Sequence, residues 1–466
     1  MIFLIIPLAI FLLINTYKYL ALIQREHYIA GSCTKFRARW MMSFPFISPM
    51  LTKSMIPKFT PRFLRLTLIS AFIMLPGIFI NPLIFLILFS IFTYLLIDLS
   101  ALIARPIENI FAEKFVTRAT NRLKKVEPVV VGITGSYGKT STKQHLKELL
   151  NGVRQTVATP ASWNNKAGIS RSINEYLEDG TEIFIAEMGM YKRGEIAQLC
   201  EWVNPQISVI TAIGNSHLER IGSVENIVKA KSEILKTAEK IVLWVSDPRL
   251  ETLSKTIKDR EMIRVGFEGM ENLLISVKED DETYILLDPK KNEIGRVSKN
   301  SELHISNIAC SLGVYYALGL PLINLKDKIS NLSTPQHRAT IGTAKKGYSV
   351  MDNTFNSNLE GAKSNILKLK SVVNEGRMFV VTPGIVELGK EQDVINYELG
   401  KAIALSGAQL LVTHRTNRKP LIRGAADNGG AVEIFSNRVK AVDWVRNNLN
   451  ANDGVLYEND LPLYYP

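Results

Sequence analysis

The spacing of apolar residues changes near residue 128 and divides the chain into two parts. Before it, long apolar runs cover residues 1–23 and about 66–104. About 20 apolar residues span the hydrocarbon of a bilayer, so these runs predict transmembrane helices. After it, short β-branched runs alternate with helical patterns, which is typical of an α/β fold with a mostly parallel sheet.

Residues 1–104 are predicted to be a membrane region with about three transmembrane helices. The first run lacks the basic start and small-residue cleavage site of a signal peptide, so a membrane helix is the favoured interpretation. Asn81-Pro82 interrupts the second run, which predicts two short spans joined by a turn. One long span and a re-entrant hairpin are the alternatives.

The positive charge is concentrated in the N-terminal quarter. The chain has a net charge of +12. Residues 1–127 hold 15 Lys and Arg and 5 Asp and Glu, a net of +10, which leaves +2 for the rest. Because the rest of the chain carries little excess positive charge, we expect no nucleic-acid partner. The basic loop between the runs and the basic linker 105–127 are predicted to be cytoplasmic, since basic loops stay on that side. This predicts a multi-pass protein of the inner cell membrane whose later domains lie in the cytoplasm.

An acid, Asp98, lies inside the last apolar run. Intramembrane acids are often functional. Arg105 follows within about two helical turns, so an interfacial or paired acid is the favoured interpretation.

Two soluble domains are predicted, at 128–333 and 334–466. The first has an alternating strand and helix pattern, an antiparallel appendage at 271–300 and a closing helix near 305–318. The second is a Rossmann-like α/β unit without a phosphate-loop motif of its own. Strands of the first domain are predicted at Val129–Ile133, Glu182–Ala186, Ile207–Ile213, Ile241–Val245 and Met262–Val265, and those of the second near Tyr348–Met351, Met378–Val381, Leu410–Val412 and Val432–Phe435.

A glycine-rich turn joins the first strand of the soluble part to a helix. The residues of this turn and of the helix start are Gly135, Ser136, Tyr137, Gly138, Lys139, Thr140 and Ser141. Such a turn aims backbone N–H groups and the positive end of a helix at phosphate, Lys139 can reach the outer phosphates, and Thr140 can hold Mg²⁺. The strict spacing of the motif is not met, because Ile133 stands five residues before Gly138. An ordinary glycine-rich turn is the alternative.

Four further clusters carry candidate chemistry. Glu187 follows a buried strand, where open α/β sheets place ligand sites, and a carboxylate there can hold Mg²⁺. His217 also follows a predicted strand, where a structural role is the favoured interpretation of an isolated histidine. Lys231 lies in a helix, and an ordinary surface lysine is the alternative there. The fourth cluster joins the segment PQHR, which ends at Arg338, to the segment MDNTFNSN, which contains Asp352.

Taken together, these segments resemble the Mur ligase family, the ATP-dependent amide ligases of cell-wall precursor synthesis. Within the family, the resemblance is closest to the D-alanyl-D-alanine-adding members. The segments that carry it, in the order of the family, are TGSYGKTS, TPASWNNKAGIS, AEMGM, NSHLERIGSVENIVKAKSEIL, HISNIA, PQHR, MDNTFNSN and VELGKE.

The resemblance implies a role for each matching residue. Residues 135–141 would bind ATP, with catalytic roles for Lys139, His217, Lys231 and Arg338. Thr140, Glu187 and His217 would hold Mg²⁺, as would Lys231 if it is carbamylated, because a carbamate supplies anionic oxygens that an ammonium lacks. Asn307, Arg338 and Asp352 would contact the nucleotide, and Asn164 and Asn165 match a substrate-binding segment.

The function implied is a membrane-anchored ligase that activates a carboxylate as an acyl phosphate and joins it to an amino acid or dipeptide. Family members begin with a soluble domain that grips a uridine nucleotide, and here membrane spans stand in its place. This argues against the soluble UDP-linked substrate and for a lipid-linked or membrane-presented acceptor in envelope or surface-polymer synthesis. The alternatives are a folylpolyglutamate or poly-γ-glutamate type ligase, and a membrane scaffold with a degenerate ATPase domain.

Overall fold

The computed structural model divides into two compact units, one running up to Lys114 and one from Phe115 to Asp460. The second unit contains two β-sheets. The structure describes residues 2–26, 28–43, 56–79, 81–215, 218–299, 301, 303–334, 340–354, 357–373 and 375–461.

Among the described residues of the N-terminal part, there are four helices. Their common core contains Tyr19, Ile23, Phe36, Leu66 and Ile97, all of them buried. These helices are α1 (Ile2–Arg25), α2 (Ser32–Ser43), α3 (Pro61–Met74), which a 3-10 turn at Leu75–Phe79 extends, and α4 (Pro82–Val126).

Two of these helices, at Leu4–Arg25 and Pro82–Val126, are long and apolar enough to cross a membrane by length and composition. The span expected before Asn81 corresponds to α3, which has 14 residues and falls short of the roughly 20 that a bilayer needs. Residues 105–126 are not a separate linker. They continue α4 past Pro106, since half of the residues that follow are good helix formers, namely Glu, Ala, Lys, Arg and Leu.

The first sheet has nine strands in the order β2-β3-β1-β4-β5-β6-β7-β8-β9. Neighbours are parallel from β2 to β7 and antiparallel from β7 to β9, as the alternating pattern and the turn-rich segment 271–300 predict. The central strands are apolar on both faces because helices cover both faces. The strands are β1 (Val129–Thr134), β2 (Thr156–Ala158), β3 (Ile183–Glu187), β4 (Ile207–Ile210), β5 (Lys240–Trp244), β6 (Glu261–Phe267), β7 (Ile275–Glu279), β8 (Thr283–Leu287) and β9 (Glu293–Ser298).

The helices of this sheet follow its strands along the chain. They are α5 (Lys139–Leu150), α6 (Lys166–Tyr176), α7 (Glu195–Val203), α8 (Leu218–Ile221), α9 (Val224–Ser232), α10 (Pro248–Thr256), α11 (Ile305–Ala317) and α12 (Lys326–Ser330).

The second sheet has six strands in the order β10-β11-β15-β12-β13-β14, and only the β10–β11 pair is antiparallel. Four of its strands overlap the predicted ones, while β10 and the central strand β15 were not predicted. The strands are β10 (Thr340–Thr343), β11 (Ser349–Asn353), β12 (Met378–Thr382), β13 (Gln409–Val412), β14 (Val432–Ile434) and β15 (Gly454–Glu458), and the helices are α13 (Leu359–Val372), α14 (Gln392–Leu405), α15 (Arg418–Ala426) and α16 (Arg438–Asn448).

The register of the first sheet places the candidate chemistry at one edge. Strand β3 lies beside β1 with Glu187 opposite Ile133, and β4 lies on the other side with Ile210 opposite Thr134. Parallel strands end at the same edge, so the glycine-rich turn after β1 and the carboxylate of Glu187 emerge together.

Asp98 acts as a helix cap in the N-terminal unit. Its carboxylate accepts hydrogen bonds from Cys33 N at 3.2 Å, Thr34 N at 2.8 Å and Thr34 Oγ1 at 2.6 Å. These groups stand at the start of α2, where backbone N–H groups lack partners within the helix. The contacts that the structure gives for Asp98 are therefore with α2 and not with Arg105.

The Asp98→Ala variant should lower the thermal unfolding midpoint of the detergent-solubilised chain. It leaves the buried N–H groups at the start of α2 without an acceptor, at a cost of about 1–3 kcal/mol. Lys35→Gln, an exposed change on the same helix, is the matched control and should leave the midpoint unchanged. An Asp98→Ala midpoint equal to that of the wild type would show that the cap is not stabilising.

Candidate active site

The glycine-rich turn between β1 and α5 is packed too tightly for larger residues. Gly138 has a φ of +83°, which disfavours other residues. A Cβ added at this position would lie 2.3 Å from Asn307 Oδ1. The segment after β4 also holds the turn, because Ser136 N donates to Ala212 O at 2.8 Å and Thr211 Oγ1 donates to Tyr137 O at 2.5 Å.

Lys139 begins α5 and folds back over the turn. Its Nζ donates to Gly135 O at 2.7 Å and to Ser136 O at 3.4 Å. The ammonium, the turn and the N-terminal end of α5 therefore lie together. Positive charge at a helix start forms an anion site.

Glu187 is the centre of a buried polar cluster beside the turn. Its Oε2 accepts from Thr140 Oγ1 at 3.0 Å and pairs with Lys143 Nζ at 2.9 Å, while its Oε1 accepts from Asn164 Nδ2 at 3.0 Å. Burial acts to raise the pKa of Glu187, but the positive charges of Lys143 and Lys139 and the hydrogen bonds outweigh it, so the pKa lies below its ordinary value. Glu187 is therefore a carboxylate at neutral pH.

Lys231, near the end of α9, is also buried, with 3% of its surface exposed. Burial, together with the charge of Lys139, holds the pKa of its ammonium well below the ordinary value of 10.5. The side chain thus has a larger neutral fraction than a surface lysine, and a neutral amine is a nucleophile.

Asn307, in the first turn of α11, supports the phosphate turn from the opposite side. Its Oδ1 accepts from Thr142 Oγ1 at 3.4 Å. Ser311 Oγ, one helical turn further, donates to Thr142 O at 3.1 Å. Helix α11 is thereby fixed to α5.

A cavity of about 430 Å³ opens beside the turn at the ends of β4 and β5. This volume is within the range of small-molecule sites. Its lining combines the Tyr137 ring, the Trp244 ring and the polar side chains of Asp247, Arg249 and Ser306. A base or sugar attached to phosphates at Lys139 would have room here.

The second sheet contacts the first through the VELGKE segment. Arg220 Nη2, in α8, pairs with Glu387 Oε1 at 2.5 Å, and Glu219 N donates to Glu387 O at 2.9 Å. Asn215 Nδ2 donates to Glu391 Oε2 at 2.8 Å. Since Asn215 lies in the segment that follows β4, the VELGKE segment contacts this segment as well as α8.

The structure brings together most of the predicted site residues that it describes. Lys139, Thr140, Glu187 and Asn164 are linked as given above, with Ser141 in the first turn of α5. Asn165 instead caps α6, where its side chain accepts from Gly168 N. Asp352 lies at the end of β11 in the second sheet, and its Oδ1 accepts from Thr354 Oγ1 at 2.7 Å. His217 and Arg338 lie outside the described residues, as do residues 355 and 356 of the MDNTFNSN segment.

Lys143 was missed in the sequence, although it makes the ion pair to Glu187. The available signal was its position four residues after Lys139, on the same face of α5. Asp247 and Glu387 were not singled out either. Their roles depend on contacts between segments that are far apart in the sequence.

Comparison with known proteins agrees with this arrangement. Residues 133–315 match the model of the Mur ligase middle domain. The UDP-N-acetylmuramoyl-tripeptide–D-alanyl-D-alanine ligase of Bacillus subtilis (strain 168) is 24% identical over 350 residues, which cover 72% of this chain and 74% of that protein. The MurF ligase of Thermotoga maritima, solved in complex with ADP, superposes with a TM-score of 0.63 at 25% identity, over 76% of this chain and 81% of that one.

Residues 133–315 thus match the middle domain of the Mur ligases, and relatives that align with most of the chain are named as ligases. Within the class, it is MurF that the chain resembles. The FolC protein of Escherichia coli, solved with DHPP and ADP, has a TM-score of 0.54 at 15% identity over 75% of this chain and 90% of its own. That likeness shows the shared fold alone.

Gly138→Ala should abolish nucleotide binding, because its Cβ would collide with Asn307 and the left-handed backbone would be strained. Gly152→Ala is the matched control, since Gly152 also has a positive φ but a Cβ there meets nothing within 4 Å. Titration of a fluorescent ATP analogue should give wild-type affinity for the control only. Equal affinities in both variants would contradict the packing described for the turn.

Lys143→Met should destabilise the fold by about 3–5 kcal/mol, because it leaves a buried carboxylate without its charge partner. The double variant Lys143→Met/Glu187→Met should be less destabilised than the single one, since it removes the uncompensated charge. Thermal unfolding of the two variants checks this order.

The exposed pair Arg171–Glu175 supplies the control for that comparison, and Arg171→Gln should leave the unfolding midpoint unchanged. A double variant that is less stable than Lys143→Met would contradict the assignment of a charged Glu187.

Proposed function

We propose that this protein activates a substrate carboxylate as an acyl phosphate and joins it to the amine of an amino acid or dipeptide, in the synthesis of a cell-envelope or surface polymer. The observation that carries the proposal is the Glu187 cluster at the start of α5. It sets a carboxylate, a hydroxyl and the phosphate turn at one sheet edge. This arrangement suits phosphoryl transfer, which depends on positioning and on charge stabilisation.

The residues of this edge fit ATP and Mg²⁺. The turn 135–138, Lys139 and Ser141 would hold the phosphates, and the cavity beside Tyr137 would take the nucleoside. Thr140 and Glu187 offer the hard oxygen ligands that Mg²⁺ prefers, although among the described residues no group of three or more His, Cys, Asp or Glu side chains is poised to hold a metal. When bound, ATP supplies a transferable phosphoryl group and Mg²⁺ offsets its charge.

The chain's own residues would position the reacting groups and stabilise the charge on the transferred phosphoryl group. Lys139 would neutralise charge on the transferred group, and Asn307 would keep the turn in shape. Asn164 would hold Glu187 in place from the substrate side. From the sequence, His217 and Arg338 are proposed as a metal ligand and as a phosphate contact, and Asp352 as a nucleotide contact from the second domain, whose Rossmann-like fold would close over the site.

Lys231 is proposed to be carbamylated. Its burial and lowered pKa support this, because the neutral amine attacks carbon dioxide and the resulting carbamate removes a positive charge from the vicinity of Lys139. The product would be an anionic ligand for Mg²⁺.

The acceptor is proposed to be lipid-linked or otherwise presented at the membrane surface. Two apolar helices support anchoring of the chain in the inner membrane. The concentration of basic residues in 24–65 and 105–127 supports a cytoplasmic location for both sheets. MurF relatives act on a UDP-linked tripeptide according to their name, so the amide chemistry would be shared while the presentation of the acceptor differs.

Release of ADP and phosphate by the full-length chain tests the function. Membranes containing the protein should release both products only when an amine and a carboxylate acceptor are supplied together. Release of ADP and phosphate when one of the two substrates is left out would overturn the proposal. So would the absence of release with every pair of envelope precursors.

Lys231→Ala should lower the rate of that reaction by at least about 100-fold, by analogy with the loss of one preorganised electrostatic group. A short carboxylic acid added to the assay should restore part of the activity by supplying the missing anionic oxygens. Lys229→Ala, two residues away on the same helix, is the control and should keep full activity. Wild-type activity of Lys231→Ala would exclude the proposed carbamate.

A further inference from the structure

In the N-terminal unit, the end of α1 contacts Tyr28 and the residues just before α3. This region is expected on the cytoplasmic side of the membrane. Gln24, at the end of α1, exchanges two hydrogen bonds of 2.7 Å with the backbone of Lys58, just before α3. Its Nε2 also donates to Tyr28 Oη at 2.9 Å. These contacts fix the C-terminal end of α1 against the N-terminal end of α3.

Two arginines of α3 share one carboxylate of α4 at this point. Arg65 makes a bidentate pair with Glu108, with Nε–Oε1 of 2.6 Å and Nη2–Oε2 of 2.9 Å. Arg62 Nε lies 3.6 Å from Glu108 Oε2, and its guanidinium stacks 4.2 Å over the Tyr28 ring. Within the described part of the chain, this buried Nε has no hydrogen-bond acceptor.

A third arginine lies close to Arg62 and lines a cavity with it. Arg105, one turn before Glu108 on α4, lines a cavity of about 40 Å³ together with Arg62 and Asn109. Two guanidinium groups and the Glu108 carboxylate line this cavity, while Arg65 lies outside the lining and neutralises Glu108 through its bidentate pair. The cavity has room for about three water molecules, which matches a single small oxyanion and excludes a sugar or a base.

Apolar surface adjoins this charge on the same helices. Leu64 and Leu68 of α3 and Leu102 and Ile103 of α4 are exposed, with Leu68 at 69%. Large apolar side chains that stay exposed beside paired arginines fit the boundary between lipid tails and headgroups. An anion bound here would carry a hydrocarbon chain along the helices.

We infer that Arg62 and Arg105, beside a Glu108 carboxylate that Arg65 holds in place, form a binding site for the phosphate group of a membrane lipid. The inference rests on the anchoring in the proposed function and extends it, since a phosphate-linked lipid would bring the acceptor to the protein. Arginine suits this role because its planar fork binds phosphate through two hydrogen bonds at once. Glu108 holds the Arg65 guanidinium by two hydrogen bonds, while Arg62 Nε lies 3.6 Å from its carboxylate and makes no hydrogen bond to the described residues.

The test uses the full-length chain in a neutral detergent and a fluorescent phosphatidic acid as probe. A diacylglycerol of the same chain length lacks the phosphate and should bind at least tenfold more weakly. Arg105→Gln, a change at an exposed residue, should weaken phosphatidic acid binding about tenfold. Lys124→Gln, an exposed basic residue elsewhere on α4, should not.

The competing sources of phosphate give distinct outcomes. If inorganic phosphate displaces the probe at an equal concentration, the site serves a soluble phosphate and the lipid assignment is overturned. Equal binding of phosphatidic acid and diacylglycerol overturns the phosphate site itself. Extraction of membranes with alkaline carbonate is a separate measurement. Complete release of the chain from the membranes would overturn the anchoring and this inference with it. The ligase activity would still be tested by the assay for ADP release.

Discussion

The hydrogen-bonded ion pair at Glu187 is the interaction on which the soluble part depends. One carboxylate joins β3 to α5 through Thr140 and Lys143, and to the segment before α6 through Asn164. A buried carboxylate is costly unless it is paired and hydrogen-bonded. The cluster therefore holds only when all three segments are in place, and this requirement fixes the glycine-rich turn relative to the edge of the sheet.

Two further contacts connect the glycine-rich turn to α11 and the first sheet's domain to the second sheet's domain. Asn307 packs against Gly138, so α11 sets the shape of the phosphate turn from the side opposite to Glu187. Glu387 pairs with Arg220 and brings the second sheet to the segment after β4. A ligase needs a rigid phosphate site together with a domain that can close over it. In the proposed function, the buried cluster would supply the rigid site, and the Arg220–Glu387 pair lies where the second domain meets α8.

Local motifs predicted much of the site, because the strand, glycine-rich turn and helix are consecutive in the chain. The alternating pattern likewise predicted the parallel sheet and the antiparallel segment after β6. Contacts between segments that are far apart in the sequence could not be predicted from local motifs. Asp98 caps α2 from 64 residues away, Lys143 finds its partner 44 residues later, and β15 becomes a central strand although it is nearly the last element of the chain. Two helices of the described residues, and not the expected three, are long and apolar enough to be spans, because α3 has 14 residues.

The central claim is that a carboxylate oxygen is transferred to phosphate when the amide forms. In such a reaction the carboxylate oxygen attacks the γ-phosphorus and ADP leaves. The amine then attacks the carbonyl carbon, and phosphate departs with the former carboxylate oxygen. An acceptor labelled with ¹⁸O in its carboxylate should therefore give inorganic phosphate that carries one ¹⁸O, as read by mass spectrometry. Unlabelled phosphate from a reaction that consumes the labelled acceptor would contradict the account.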